Sequence, residues 1–109
     1  MSNSVYRIEV KKGDSSGSAR PSPGGNGRTP TNVTMDSMFA MATPTPGADW
    51  NMWFTFEGTK MRTNSRRVGS HGQYPVTNQE PVNDYTLIVN LSEPTPKPFA
   101  IEGFVEYAS

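Results

Sequence analysis

The chain has 109 residues, in which ten basic side chains balance ten acidic ones; it holds a single histidine and no cysteine. That length fits one domain spanning 1–109, and without cysteine there is no disulfide, thiolate nucleophile or Cys-based metal site. No stretch reaches the roughly 20 apolar residues of a membrane span, and "MSNSVYRIEV" lacks the basic-then-apolar order of a secretory signal, so the expected location is the cytoplasm or an assembled particle.

Leu, Ile, Val and Phe together number only 18. Such a low share raises the question of disorder, but disordered chains also tend to carry high net charge, and this one carries none. Two leucines stand against eight valines, ten glycines and ten prolines. Valine, aromatics, glycine and proline build short strands joined by turns, whereas leucine and alanine build helices. The expected fold is all-β: a small β-sandwich or open barrel with long Pro/Gly-rich loops.

In "SVYRIEVKK", Tyr6, Ile8 and Val10 alternate with Arg7, Glu9 and Lys11, which predicts a half-buried strand with a wet outer face. Residues 13–32, "GDSSGSARPSPGGNGRTPTN", show no apolar periodicity and read as a flexible loop or arm. "VTMDSMFAMA" supports two patterns. As a helix near 35–42, Met35, Met38, Phe39 and Ala42 share one face, Thr34 caps the N-terminus and Asp36 sits in the first turn. As a strand, Val33, Met35, Phe39 and Met41 share a face that Ser37 interrupts. The helical reading fits slightly better, with its methionines filling core gaps.

"TPTPGAD" reads as a stiff extended linker. "WNMWFTFE" is the clearest strand, with Trp50, Met52, Phe54 and Phe56 on the core side, "EGTK" as a turn and "MR" starting a returning strand. "DYTLIVNL" points Tyr85, Leu87, Val89 and Leu91 inward. "SEPTPKP" reads as a rigid crossover between sheets. "PFAIEGFVEYA" closes the chain with Phe99, Ile101, Val105 and Tyr107 inward and Gly103 as a bulge or close-approach point.

Enzymatic signatures are lacking. "GSHG" is not a nucleophile elbow, "EGTK" is not a phosphate-binding loop and "GGNG" neither follows a clear strand nor opens a helix. His71 has no second imidazole to share a metal, and neither cofactor nor metal is expected. The expectation is a protein that is not an enzyme.

Charge order says more. Lys60 to Gln79 holds Lys60, Arg62, Arg66 and Arg67 and no acid, while Glu80 to Ser109 holds five acids and one base. A neutral chain therefore contains a basic segment followed by an acidic one. One reading leaves both segments facing solvent. A second is self-association, the basic segment (Lys60, Arg62, Arg66, Arg67, His71, Tyr74) docking on a complementary acidic face, Glu102 and Glu106. A third is nucleic-acid contact, with Tyr74 or His71 stacking on a base; the absence of a basic excess makes this partner the less favoured one. Separately, strand parity turns Trp53 outward beside Asn51 and Thr55, an arrangement that suits a carbohydrate ring or a protein partner.

The leading expectation is a non-enzymatic structural or assembly module. It would self-associate as a homo-oligomer or dock on a larger protein scaffold, in the manner of a virion component. A small ligand-binding module, with carbohydrate held on Trp53, is the alternative.

Overall fold

A computed structural model describes residues 3–40 and 50–108. Among these residues nine strands form, in chain order: β1 (Ser4–Val10), β2 (Ser16–Ala19), β3 (Pro30–Ala40), β4 (Asn51–Phe56), β5 (Arg62–Thr63), β6 (Arg66–Arg67), β7 (Gly72–Thr77), β8 (Leu87–Leu91) and β9 (Phe99–Tyr107). They run in the order β1-β9-β3-β7-β5-β4-β8-β2, with β6 paired to β4, and every pairing is antiparallel. The ends of this path nearly meet: Val5 and Ser22 exchange two backbone hydrogen bonds of 2.9 and 3.0 Å. The result is a nearly closed, barrel-like sheet, as the composition predicts.

The alternation in the strands explains the core. Tyr6, Ile8 and Val10 of β1, Met52, Phe54 and Phe56 of β4, Leu87, Val89 and Leu91 of β8, and Ile101, Val105 and Tyr107 of β9 are buried together. Across the interior, Phe54 meets Tyr6 edge-on at 6.0 Å and Tyr74 at 5.2 Å between ring centroids. Since Tyr6 belongs to β1 and Phe54 to β4, the β1-β9-β3-β7 wall faces the β5-β4-β8-β2 wall across the core. Their outer surfaces consequently point in opposite directions. The Pro-rich 92–98 stretch carries the chain from β8 on one wall to β9 on the other, the crossover role expected of it.

A polar cluster closes one end of the core. The Tyr107 hydroxyl lies 2.5 Å from both the Ser4 and Tyr85 hydroxyls, and Ser4 Oγ donates to the Pro23 carbonyl. The Arg28 guanidinium covers the Tyr107 ring at 4.2 Å. Buried hydroxyls joined in this way avoid the penalty of leaving a polar atom unpaired.

The helix expected near 35–42 does not form over the described part of that span. Residues 30–40 are strand β3, paired with both β9 and β7, while 41–49, with the proposed linker, lie outside the described residues. A β-bulge accounts for the misleading pattern. Met35 pairs with Gly103 and Ser37 with Glu102, so Asp36 is an extra residue. One inserted residue shifts the strand's phase and places Met35 and Met38 three apart on the same inward side, imitating helical spacing.

Gly103 sits opposite both Tyr6 and Met35, and it is a close-approach point. A Cβ there would overlap the Thr34 carbonyl oxygen and lie 2.8 Å from the Tyr6 hydroxyl. The missing side chain lets Tyr6 Oη donate to the Thr34 carbonyl at 2.9 Å across the bulged strand.

Residues 13–32, which the sequence presents as a flexible loop or arm, are fastened along their length. They include β2 and the Val5–Ser22 bridge, and hydrogen bonds from Gly25 and Gly27 to Asn83 and Val82. At Gly17 a Cβ would meet the Ile8 and Val10 side chains at 3.0 Å, so β2 lies close against β1.

Candidate functional site

Outward-facing residues of the β2-β8-β4-β5 wall form a surface of mixed chemistry. Alternation in β4 buries Met52, Phe54 and Phe56 and turns Asn51, Trp53 and Thr55 outward. Register places Trp53 beside Asn90, Thr55 between Ile88 and Arg62, and Asn51 beside Arg67. Trp53 is half-buried. The Arg62 guanidinium lies 5.9 Å from its ring centroid, within cation–π range. Asn90 Nδ2 donates to Thr55 Oγ1 at 3.1 Å, and the Asn51 backbone N–H donates to Ser92 Oγ at 2.9 Å. The indole thus stands in a frame of amides and hydroxyls.

The structure divides the basic segment. Arg62 and Arg67 share the Trp53 face. Arg66 instead covers the Tyr74 ring at 4.9 Å. Lys60, in the turn before β5, and His71, in the turn before β7, are exposed at opposite ends of the β5–β6 path. Tyr74 is a core residue: its ring is fully buried and its hydroxyl donates to the Ser70 carbonyl at 2.9 Å. Burial pushes its pKa up, with Arg66 pulling the other way. A ring so enclosed offers no face for stacking on a base, which leaves His71 alone in that role.

The opposite wall carries the acidic residues. Glu102 Oε2 accepts a 3.0 Å hydrogen bond from Arg7 Nη1 in an exposed ion pair. Glu106 Oε1 accepts from Gln73 Nε2 at 3.1 Å and Thr34 Oγ1 at 3.3 Å. Between them the bulge and the Ala19–Arg20 segment wall a trough of about 490 Å³, lined by Val5, Arg7, Arg20, Asp36, Ser37 and Glu102. Val5 is 62% exposed, the one large hydrophobic residue so exposed among those described.

Taken strand by strand, charge is segregated. Strands β1, β3, β7 and β9 hold Arg7 against Glu9, Asp36, Glu102 and Glu106, whereas β2, β4, β5, β6 and β8 hold Arg62, Arg66 and Arg67 and no carboxylate. The parity of β9 predicts Glu102 and Glu106 on this outer face, and the parity of β1 also gives Val5. Arg20 and Asp36 carry no such signal, because the trough depends on how β2, β1, β9 and β3 come together.

Comparison with protein-family models, curated proteins and solved structures finds no counterpart to this chain. Among the described residues no group of three or more His, Cys, Asp or Glu is placed to hold a metal ion, and no helix is long and apolar enough to cross a membrane.

Proposed function

We propose that the chain is a non-enzymatic assembly module that binds a protein partner, itself or a larger scaffold such as a virion, through the Trp53 face. One observation carries this reading: a half-buried indole beside Arg62, on a face that also turns Arg67 outward and whose strands hold no carboxylate. Tryptophan and arginine are the residues that most often dominate binding energy at protein interfaces. A surface on which cations outnumber carboxylates also orients and speeds association with an acidic one.

Sedimentation velocity over a range of concentrations and salt tests it. The wild-type protein is expected to form a species larger than the monomer, alone or with its scaffold, that weakens as salt rises. Trp53→Ser and Arg62→Glu/Arg67→Glu should each reduce that association at least tenfold. Association that neither change alters would remove the Trp53 face from the proposal.

The ring of Asn51, Thr55 and Asn90 around Trp53 favours carbohydrate as a second reading, since stacking on an indole with flanking hydrogen-bonding groups suits a sugar. A glycan array probed with wild-type and Trp53→Ala protein separates the two, because only this reading expects a glycan signal that Trp53→Ala abolishes.

A further inference from the structure

The two oppositely charged walls of this barrel lie back to back, and we infer that the partner of the Trp53 face is the acidic wall of a second copy, joined head to tail around the Val5 trough. This rests on the assembly reading above and names its partner. Three observations support it. The first is charge: the outer face of one wall turns Arg62 and Arg67 outward from strands that hold no carboxylate, with Glu57 following at the end of β4, and the strands of the other set four carboxylates against Arg7. The second is apolar complementarity. Val5, exposed at the trough, supplies the aliphatic contact that an indole such as Trp53 would cover on docking. The third is shape, since the basic wall presents Trp53 and the acidic wall, where its β1 edge meets β2, presents a concavity of about 490 Å³.

Within the trough itself Arg7 and Arg20 balance Asp36 and Glu102. Attraction therefore comes from the acidic wall as a whole, while the trough contributes fit and apolar contact. Because the two contact surfaces differ and point in opposite directions, the contact is heterologous. A heterologous contact repeats from copy to copy and ends only if the rotation closes a ring.

Paired charge reversals test this directly. Arg62→Glu/Arg67→Glu makes both walls acidic, and Glu102→Lys/Glu106→Lys makes the opposite wall cationic, so each variant alone should sediment as a monomer. Mixed in equal amounts they should co-assemble, because each variant then supplies the wall that the other lacks. All four positions lie on outer faces, and circular dichroism checks that each variant folds. As a second readout, Val5→Cys protein mixed with Thr55→Cys protein, in a chain otherwise free of cysteine, should form an intermolecular disulfide under mild oxidation. Each single variant alone should do so far less.

If the wild type assembles and the mixed variants stay monomeric, the acidic wall is not the partner, although the Trp53 face keeps its role. If Glu102→Lys/Glu106→Lys alone assembles like the wild type, the inference fails in the same way. A wild type that stays monomeric at all concentrations while binding a scaffold through Trp53 overturns self-association and leaves the assembly reading in place.

Discussion

Replacing Gly103 with alanine tests the closest contact in the fold. A methyl there would overlap the Thr34 carbonyl oxygen, a backbone atom that cannot rotate away, and would stand 2.8 Å from the Tyr6 hydroxyl. Strand β3 must then move away from β9, an overpacking strain of about 1–3 kcal/mol. The 2.9 Å bond from Tyr6 Oη to Thr34 is lost in the process, which adds roughly 1 kcal/mol. Together these should lower stability by about 2–4 kcal/mol, a large part of the ~5–15 kcal/mol typical of a domain. Urea unfolding followed by tryptophan fluorescence reads this as a lower midpoint, and thermal unfolding as a Tm about 10 °C lower. Tyr6→Phe, which removes only the bond, should lose about 1 kcal/mol. The double variant should fall short of the sum by about that bond, since Gly103→Ala has already broken it. A Gly103→Ala protein within about 0.5 kcal/mol of the wild type, a shift typical of neutral surface changes, would refute the argument.

Tyr107→Phe removes both 2.5 Å contacts at the end of the core and should lower stability by about 2–3 kcal/mol in urea unfolding, because the Ser4 and Tyr85 hydroxyls each lose a partner. Burial raises the pKa values of Tyr6, Tyr74 and Tyr85 above the ordinary value of 10.0. Stability from these groups is therefore present below pH 10 and lost above it, where the unfolded tyrosines ionise first. The expected slope is about 1.4 kcal/mol per pH unit for each tyrosine. Tyrosinate absorbance from these three side chains should rise together with unfolding; their ionisation near pH 10 in the folded state, followed in Tyr→Phe variants of each, would contradict the burial. Trp53→Ser, on an outer face, should change the thermal midpoint by only a few degrees, equivalent to about 1 kcal/mol or less. A loss of the fold would return Trp53 to a structural role.

Much of the fold was legible because strand alternation survives in single residues. Tyr6, Ile8 and Val10, the even-numbered residues of β4 and the odd-numbered ones of β8 all face the core as their parity predicts. Two places hid their structure. Ser16–Ala19 pairs with β8 and offers only Ala19 as an apolar side chain, too little to mark a strand. In β3, Asp36 breaks the alternation and yields a helical spacing. The site was legible in part. Parity set Trp53, Asn51 and Thr55 outward, but adjacency in sequence joined Tyr74 to a basic segment although its side chain faces the core. The trough, assembled from four strands distant in sequence, left no local pattern.

The bulge at Asp36 has a further consequence, which concerns chain length. Asp36 and Ser37 together face Glu102, so one of the two is surplus to the strand's geometry. Deleting Asp36 would leave Met35, Ser37 and Met38 in regular alternation, with Met38 still opposite Ile101. Deleting Phe104 from β9 would instead turn Val105 and Tyr107 out of the core, since a one-residue slip reverses every side chain beyond it. At Asp36 a residue can thus be lost while the remainder of the strand keeps its facing, and the residue held there serves the surface rather than the core.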